Sequence, residues 1–348
     1  MKNNSLLFAA ALAALCFLIM PSRAQNKAEV ERLDHGLDAI VPENATLEKL
    51  TDGFKWTEGP VWTRAGYVLF AEIPSNRIMK WVPGGKTTVF MQGMGYSGTA
   101  PFGGPEPGTN GMTLDAKGRL TVAGHAARTV FRLESLAKGA QLTELAERYE
   151  GKRLNSPNDL VYRADGSLYF TDPPYGLPSQ SDTDPQKELP FNGVFRIPNA
   201  LSHPAGAPPH DSKLQLIIKD LTRPNGIAFS PDQKVLYIAV SDPNHKVWMR
   251  YDVNPDGTVK NGRVFFDATS DKADGGPDGI KVDKEGNLYG SGPGGLWIFS
   301  PKGRHLGTVK MSERMANLNW GDADGKTLYI TASSSLYRIR LKIAGVRP

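Results

Sequence analysis

The sequence predicts an all-β chain: a six-bladed β-propeller with a metal site on its central axis. Three observations lead there. A hairpin unit recurs six times, opening at Glu58, Asn110, Asn158, Asn225, Asp278 and Ala316. Each copy runs through a short alternating strand, a turn such as Asp115-Ala-Lys-Gly118, and a second apolar strand, the pattern of a half-buried hairpin. The copies start 52, 48, 67, 53 and 38 residues apart, the range of propeller blades with insertions. The 37 glycines and 26 prolines among 348 residues suit many short strands joined by turns.

Taken in order, the chain begins with Lys2, an apolar run from Leu6 to Met20 and a small-x-small site at Ser22-Arg-Ala24. Residues 1–24 therefore read as a secretory signal peptide, removed on export to the periplasm or beyond the cell. Cys16, the single cysteine, leaves with it. That excludes a disulfide framework, a thiol nucleophile and a Cys-based zinc site from the mature chain. Residues 25–45 are polar and without period, an exposed lead-in. The propeller is expected over 46–342, as one catalytic domain.

Leu47-Glu-Lys-Leu50 reads as a strand. Between the copies lie further β-like runs, such as Arg77–Val82 with Thr87–Met91, and Gly295–Phe299 with His305–Val309. Two strands plus two strands make a four-stranded blade. One blade cannot bury both faces, so the ring has to close. Ser335–Leu341 and the strand near Leu47 are the expected closing partners. Two insertions, Gly93–Thr109 and Leu177–Phe191, are long enough to be functional loops and are candidate lids over one face.

The first strand of a blade lines the channel, so the six opening residues form a ring about the axis. Five of them, Glu58, Asn110, Asn158, Asn225 and Asp278, carry a side-chain oxygen. Two carboxylates and three amides are hard donors, which select Ca²⁺ first and Mg²⁺ or Mn²⁺ next, over zinc or copper; Zn²⁺ is an ion to test beside them. Asn-Gly and Asp-Gly are also common turn pairs, the reading without a metal. Ala316 leaves a gap, filled by Asn317 or Asn319 or left open for substrate; the open side is the expectation. Hairpin geometry brings the end of each second strand beside this ring, which places His125 near Asn110 and Asp172 near Asn158. A neutral histidine there is a candidate general base.

Glu58-Gly-Pro-Val-Trp62, Gly104-Pro-Glu-Pro-Gly-Thr-Asn-Gly111, Leu154-Asn-Ser-Pro-Asn-Asp-Leu160, Thr171-Asp-Pro-Pro-Tyr-Gly176, Arg223-Pro-Asn-Gly226 and Gly275-Gly-Pro-Asp-Gly279 together resemble the SMP-30/gluconolactonase family, in its bacterial gluconolactonase-like branch. The resemblance spans about residues 45–342 and implies a propeller with one divalent ion, usually Ca²⁺. It implies Glu58, Asn158, Asn225 and Asp278 as metal ligands, Asp278 also as the base, and Asn110 and His125 as further site residues. Asn110, Asn158, Asp159, Asp172 and Tyr175 are the residues expected on the substrate side. The chain departs from the family at Ala126-Ala-Arg128 and at Ala239-Val-Ser-Asp242, both near the expected mouth.

The function implied is metal-dependent hydrolysis of a sugar lactone to the aldonic acid. No Gly-x-Ser-x-Gly elbow occurs, and none is needed. Two alternatives stand beside it: an esterase or phosphotriesterase built on the same site, and a non-catalytic propeller whose structural Ca²⁺ supports sugar or protein binding. The net charge of +5 is scattered, without a basic run, so nucleic acid is not an expected partner. No membrane span is expected once the signal is removed.

Overall fold

The computed structural model describes residues 27–347, and the expected signal peptide lies outside them. Six antiparallel sheets of four or five strands follow one another around a ring, the first four each built from consecutive strands. Blade 1 holds Thr57–Trp62, Val68–Glu72, Arg77–Trp81 and Thr88–Gln92; blade 2 runs from Met112–Leu114 to Leu142–Ala146. Blade 3 spans Leu160–Tyr162 to Gln215–Leu221, blade 4 Pro224–Phe229 to Val259–Asp267, and blade 5 Ile280–Val282 to His305–Lys310. Blade 6 takes Met315–Gly321, Thr327–Ala332 and Ser335–Arg340 from the end of the chain and Leu47–Thr51 from its start. Leu47 lies opposite Ile339 and Lys49 opposite Tyr337, so the ring closes between the two segments the sequence indicates.

Burial explains the strand patterns. Val68–Glu72 and Leu120–Gly124 are buried at every position, because second strands are covered on both faces by neighbouring blades. The outermost strand Thr88–Gln92 is largely exposed. The apolar side chains gather into six clusters among the described residues, and each straddles one pair of adjacent blades. The hairpin turns are held by aspartates: Asp115 Oδ1 accepts from the amides of Lys117 and Arg119, and Asp283 Oδ1 from those of Glu285 and Asn287. No helix of the described residues is long and apolar enough to cross a membrane.

The lead-in corrects the expectation of an exposed segment. Val30–Arg32 adds a fifth strand to blade 5 by pairing with Gly307–Val309. A 3-10 turn over His35–Ala39 then drives Leu37, Ile40 and Val41 into the cluster between blades 5 and 6, where each is at most 2% exposed. The segment reads as polar because only one residue in three or four faces inward. Leu37→Ala is expected to lower the unfolding free energy by about 3 kcal/mol, as for other buried leucines, measurable by urea denaturation.

Candidate active site

The ring residues open, or immediately precede, the innermost strands. Strand pairing slips just there: between Glu58 and Val61 in blade 1, Pro224 and Ile227 in blade 4, Met315 and Asn317 in blade 6. Such bulges re-aim a side chain, and here they turn the opening residues toward the axis.

The glycine that follows most ring residues has a packing cause, joined at Gly59 by a left-handed backbone with φ of 49°. Gly111 donates its amide to the Asn158 carbonyl at 2.7 Å, Gly226 to that of Asp278 at 3.0 Å and Gly279 to that of Ala316 at 2.8 Å. A β-carbon at Gly59, Gly111 or Gly226 would collide with the next blade's carbonyl oxygen, on Asn110, Asn158 and Asp278 respectively. The innermost strands are stitched edge to edge at this level, and only glycine lets them approach.

Glu58, Asn110, Asn158, Asn225 and Asp278 converge on one cavity of about 330 Å³ at the channel mouth. Glu58 is buried, and burial followed by the charge of Asp278 pushes its carboxyl well above the ordinary value. Asp278 is half-buried; desolvation raises it to about 8 despite the nearby Arg314 guanidinium. The Oδ1 atoms of Asn110 and Asn225 are buried without a hydrogen-bond partner. Each such orphan costs about 1–3 kcal/mol. Two carboxylates held in mutual repulsion beside two unsatisfied amide oxygens are what a hard cation would satisfy. Among the described residues no three His, Cys, Asp or Glu side chains come together as a metal cluster; the convergence here depends on amide oxygens. A second cavity of about 330 Å³ opens on Arg64, Asp115 and Arg347. It contains none of the ring residues, so chemistry rather than volume marks the site.

The other predicted residues are placed unevenly. Tyr175 lines the cavity, its hydroxyl 2.9 Å from Ser241 Oγ, which also accepts from Asn225 Nδ2 at 3.2 Å. Ser241 belongs to the departure at Ala239–Asp242, so that departure does reach the site. Asp159 is buried off the cavity wall, with Oδ1 on the Leu160 amide and Oδ2 3.4 Å from Lys281 Nζ. Asp172 is also off the wall. Its two oxygens each accept one backbone amide at 2.7 Å, from Asn155 and Ser156, and burial still raises its carboxyl to about 7. It anchors the loop that carries Asn158 rather than facing substrate. His125 is fully buried behind the wall, in contact with Glu106. Arg128, in the other departure, turns away to the carbonyl of Leu154.

Four cavity residues escape the sequence pattern: Trp56, Glu106, Gln180 and Arg314. Glu106 and Gln180 come from the two insertions, which meet where Gly104 packs on Pro178. Arg314 and Trp56 stack in the sixth sector, the guanidinium 5.8 Å from the ring, and the Asn317 side chain beside Glu58 partly offsets the upward push on its carboxyl. At Ala316 itself the ring carries no side-chain oxygen, and Trp56 and Arg314 line the cavity on that side. The sequence signals for Glu106 were the position of Gly93–Thr109 immediately before Asn110 and its place inside the motif Gly104–Gly111.

Comparison with known proteins agrees with this architecture. The profile of the SMP-30/gluconolactonase/LRE-like region matches residues 56–334. A gluconolactonase of Zymomonas mobilis is 36% identical over 328 residues, covering 91% of this chain and 87% of that protein. A solved gluconolactonase of Xanthomonas campestris superposes with a TM-score of 0.74 at 30% identity, over 93% of this chain and 99% of its own. The diisopropyl-fluorophosphatase of Loligo vulgaris is 23% identical over 81% of this chain and 87% of its own length. A closed ring of six blades, an oxygen-lined mouth and these matches over nearly the whole propeller place the chain in the SMP-30/gluconolactonase/LRE-like family.

Proposed function

We propose that this protein hydrolyses a sugar lactone of the gluconolactone type at the channel mouth, with a divalent cation held by Glu58, Asn158, Asn225 and Asp278. The observation that carries the proposal is the convergence of two carboxylates pushed up by burial with the orphaned oxygens of Asn110 and Asn225. When bound, a hard cation such as Ca²⁺ supplies Lewis-acid polarisation of an ester carbonyl. The chain's own residues do the rest. Trp56 and Tyr175 wall the cavity with apolar surface, while Asn110, Asn158 and Arg314 present polar groups to ring hydroxyls. Water adds its oxygen to the acyl carbon, the bond to the ring oxygen breaks, and one proton passes to that oxygen. A carboxylate in the wall has to take that proton first; Asp278 in the ring and Glu106 outside it are both in place.

The test is a panel of aldonolactones, aryl esters and phosphotriesters, assayed with chelated protein and after reloading with Ca²⁺, Mg²⁺, Mn²⁺ or Zn²⁺. Lactone hydrolysis lost on chelation and restored by one ion supports the proposal; turnover of phosphotriesters alone would move it to the phosphotriesterase alternative. Metal-dependent melting without any turnover would leave a binding propeller. The leader motif supports export, and fractionation of a tagged chain would test it.

The raised carboxyls also set a pH dependence. Without a cation the Asp278 carboxyl is protonated below about 8, so uptake has to displace protons. Cation affinity is expected to rise between pH 6 and 9, with proton release seen by calorimetry in buffers of different ionisation enthalpy. The stability of the chelated protein runs the other way. A folded-state carboxyl raised above its unfolded value contributes stability that is present in acid and lost as pH rises through about 8. Chelated protein is therefore expected to melt lower at pH 9 than at pH 6.

A further inference from the structure

We propose that Glu106 is the proton-carrying catalytic residue of this cavity and that His125 is its positioning partner. The proposal rests on the reading of the cavity as a hydrolytic site.

The geometry shows which two atoms share a proton. His125 Nδ1 lies 3.1 Å from the carbonyl oxygen of Pro157, and Nε2 lies 3.0 Å from Glu106 Oε2. A carbonyl can only accept, so Nδ1 carries a hydrogen. The remaining contact, Nε2 to Oε2, then needs one proton between two acceptors. That proton makes either an imidazolium against a carboxylate or a neutral ring against a carboxylic acid. A carboxylate held by a charge-assisted bond keeps its second oxygen for other work, and Glu106 Oε1 makes no hydrogen bond among the described residues. Glu106 lines the cavity with its side chain 22% exposed, while His125 is sealed at 0%. The carboxylate meets substrate and the histidine does not.

The surroundings hold this pair rigidly. The bare face of Gly176 lies on the imidazole: a β-carbon there would come within 2.7 Å of His125 Cγ and Cδ2 and of Ser156 Cβ. Ser156 Oγ receives the Gly176 amide at 2.9 Å. Asp172 fixes the amides of Asn155 and Ser156, and so fixes the Pro157 carbonyl that sets the tautomer. On the other side, Pro105 and Pro107 flank Glu106. The loop is pinned by the Tyr96 amide on the Pro107 carbonyl at 2.6 Å and by Asn76, which bridges Gly95 and Tyr96. The charged side chains that share the cavity with Glu106 are Glu58, Asp278 and Arg314; none reaches His125.

In the step itself, Glu106 Oε1 takes a proton from the attacking water as its oxygen bonds to the acyl carbon. The same proton then goes to the ring oxygen as its bond to the acyl carbon breaks. Glu106 returns to carboxylate, and the His125 proton holds Oε2 throughout. Asp278 is thereby left to its place in the cation-holding ring.

Two measurements test this. With cation-loaded protein, Glu106→Gln is expected to lower kcat on an aldonolactone by about 10²–10³-fold, to keep Ca²⁺ affinity within about twofold, and to lose the acid limb of the kcat–pH profile. His125→Gln is expected to keep Ca²⁺ affinity and to shift that limb, since glutamine bonds Oε2 without a charge. An unchanged kcat in Glu106→Gln, or a loss of Ca²⁺ affinity beyond tenfold, would overturn the proposal, the latter because Glu106 would then be a ligand. Independently of substrate, ¹⁵N NMR of the His125 ring in chelated and Ca²⁺-loaded protein is expected to show a hydrogen on Nδ1 and an Nε2 that shares a proton with Glu106, the second signature being lost in Glu106→Gln. A bare Nδ1, or an Nε2 signal that Glu106→Gln leaves unchanged, would also overturn it. If the wild type hydrolyses no lactone, ester or phosphotriester, the hydrolytic reading fails, and the NMR result shows separately whether the pair shares its proton.

Discussion

Replacing Glu58 by glutamine is expected to abolish cation uptake and lactone turnover together, while raising the stability of the cation-free protein. The two signs have one cause. Glu58 is buried, and its carboxyl is raised by desolvation and by the charge of Asp278. Folded without a cation, the wild type keeps two mutually repelling carboxyls in a site that cannot solvate both. Glutamine matches the shape, can keep an oxygen on the Gly59 amide that Glu58 Oε2 now accepts, and removes one of the two charges. At pH 8 to 9 in the presence of a chelator, the variant is expected to gain about 1 kcal/mol in urea denaturation, the scale of one pKa unit. The same change removes one of only two charged donors, so affinity for Ca²⁺ should fall by at least about two orders of magnitude, more than the loss usual for outer-shell partners. Calorimetry and a lactone assay check both halves. A Glu58→Gln protein that kept full cation binding and activity would remove the ring from the mechanism.

Gly226→Ala should show the opposite combination, a loss of stability with no change of charge. The added methyl would meet the backbone of blade 5 at Asp278, Gly279 and Ile280, atoms that cannot rotate away. Overpacking costs about 1–3 kcal/mol, and weakening the 3.0 Å bond from the Gly226 amide to the Asp278 carbonyl adds about 1 kcal/mol. A total near 3 kcal/mol is expected from urea denaturation. Because the displaced residue is Asp278, Ca²⁺ affinity should fall with it. Gly85→Ala is the control: its nearest neighbour would be 3.4 Å away, on Val82, and its effect should stay below about 1 kcal/mol.

These two substitutions also show what the sequence disclosed. The blades were legible because each repeats one hairpin, and repetition alone puts Glu58, Asn110, Asn158, Asn225 and Asp278 on one circle. Gly59, Gly111 and Gly226 were visible but open to a turn reading. Their cause is the carbonyl of the next blade, and no local pattern encodes a neighbour that distant. His125 and Asp172 were placed near the ring by hairpin geometry. Their burial was not, because the cover comes from Gly176 and from residues 155–157. Trp56, Glu106, Gln180 and Arg314 lie outside the repeated hairpin, on loops whose paths follow from tertiary packing. The lead-in was misread for a similar reason: Leu37, Ile40 and Val41 find their cover on blades more than 240 residues ahead.

The closure between Leu47–Thr51 and Ser335–Arg340 makes the blades unequal in time, although they are alike in hydrogen bonding. Blades 1 to 4 are complete once their own stretch of chain exists. Blade 6, and the fifth strand on blade 5, join segments from the two ends. Such distant pairing is slow to form, so the last act of folding is expected to be the fastening of a buckle. Glu58 and Asp278 stand on blades 1 and 5, on either side of that buckle, and Arg314 stands on the blade between them. An ion gripped by both carboxylates would span the fastening and slow its release. Its effect would then show in the rate of unfolding more than in the rate of folding, and the ion's first arrival during refolding would report the moment the ring snaps shut.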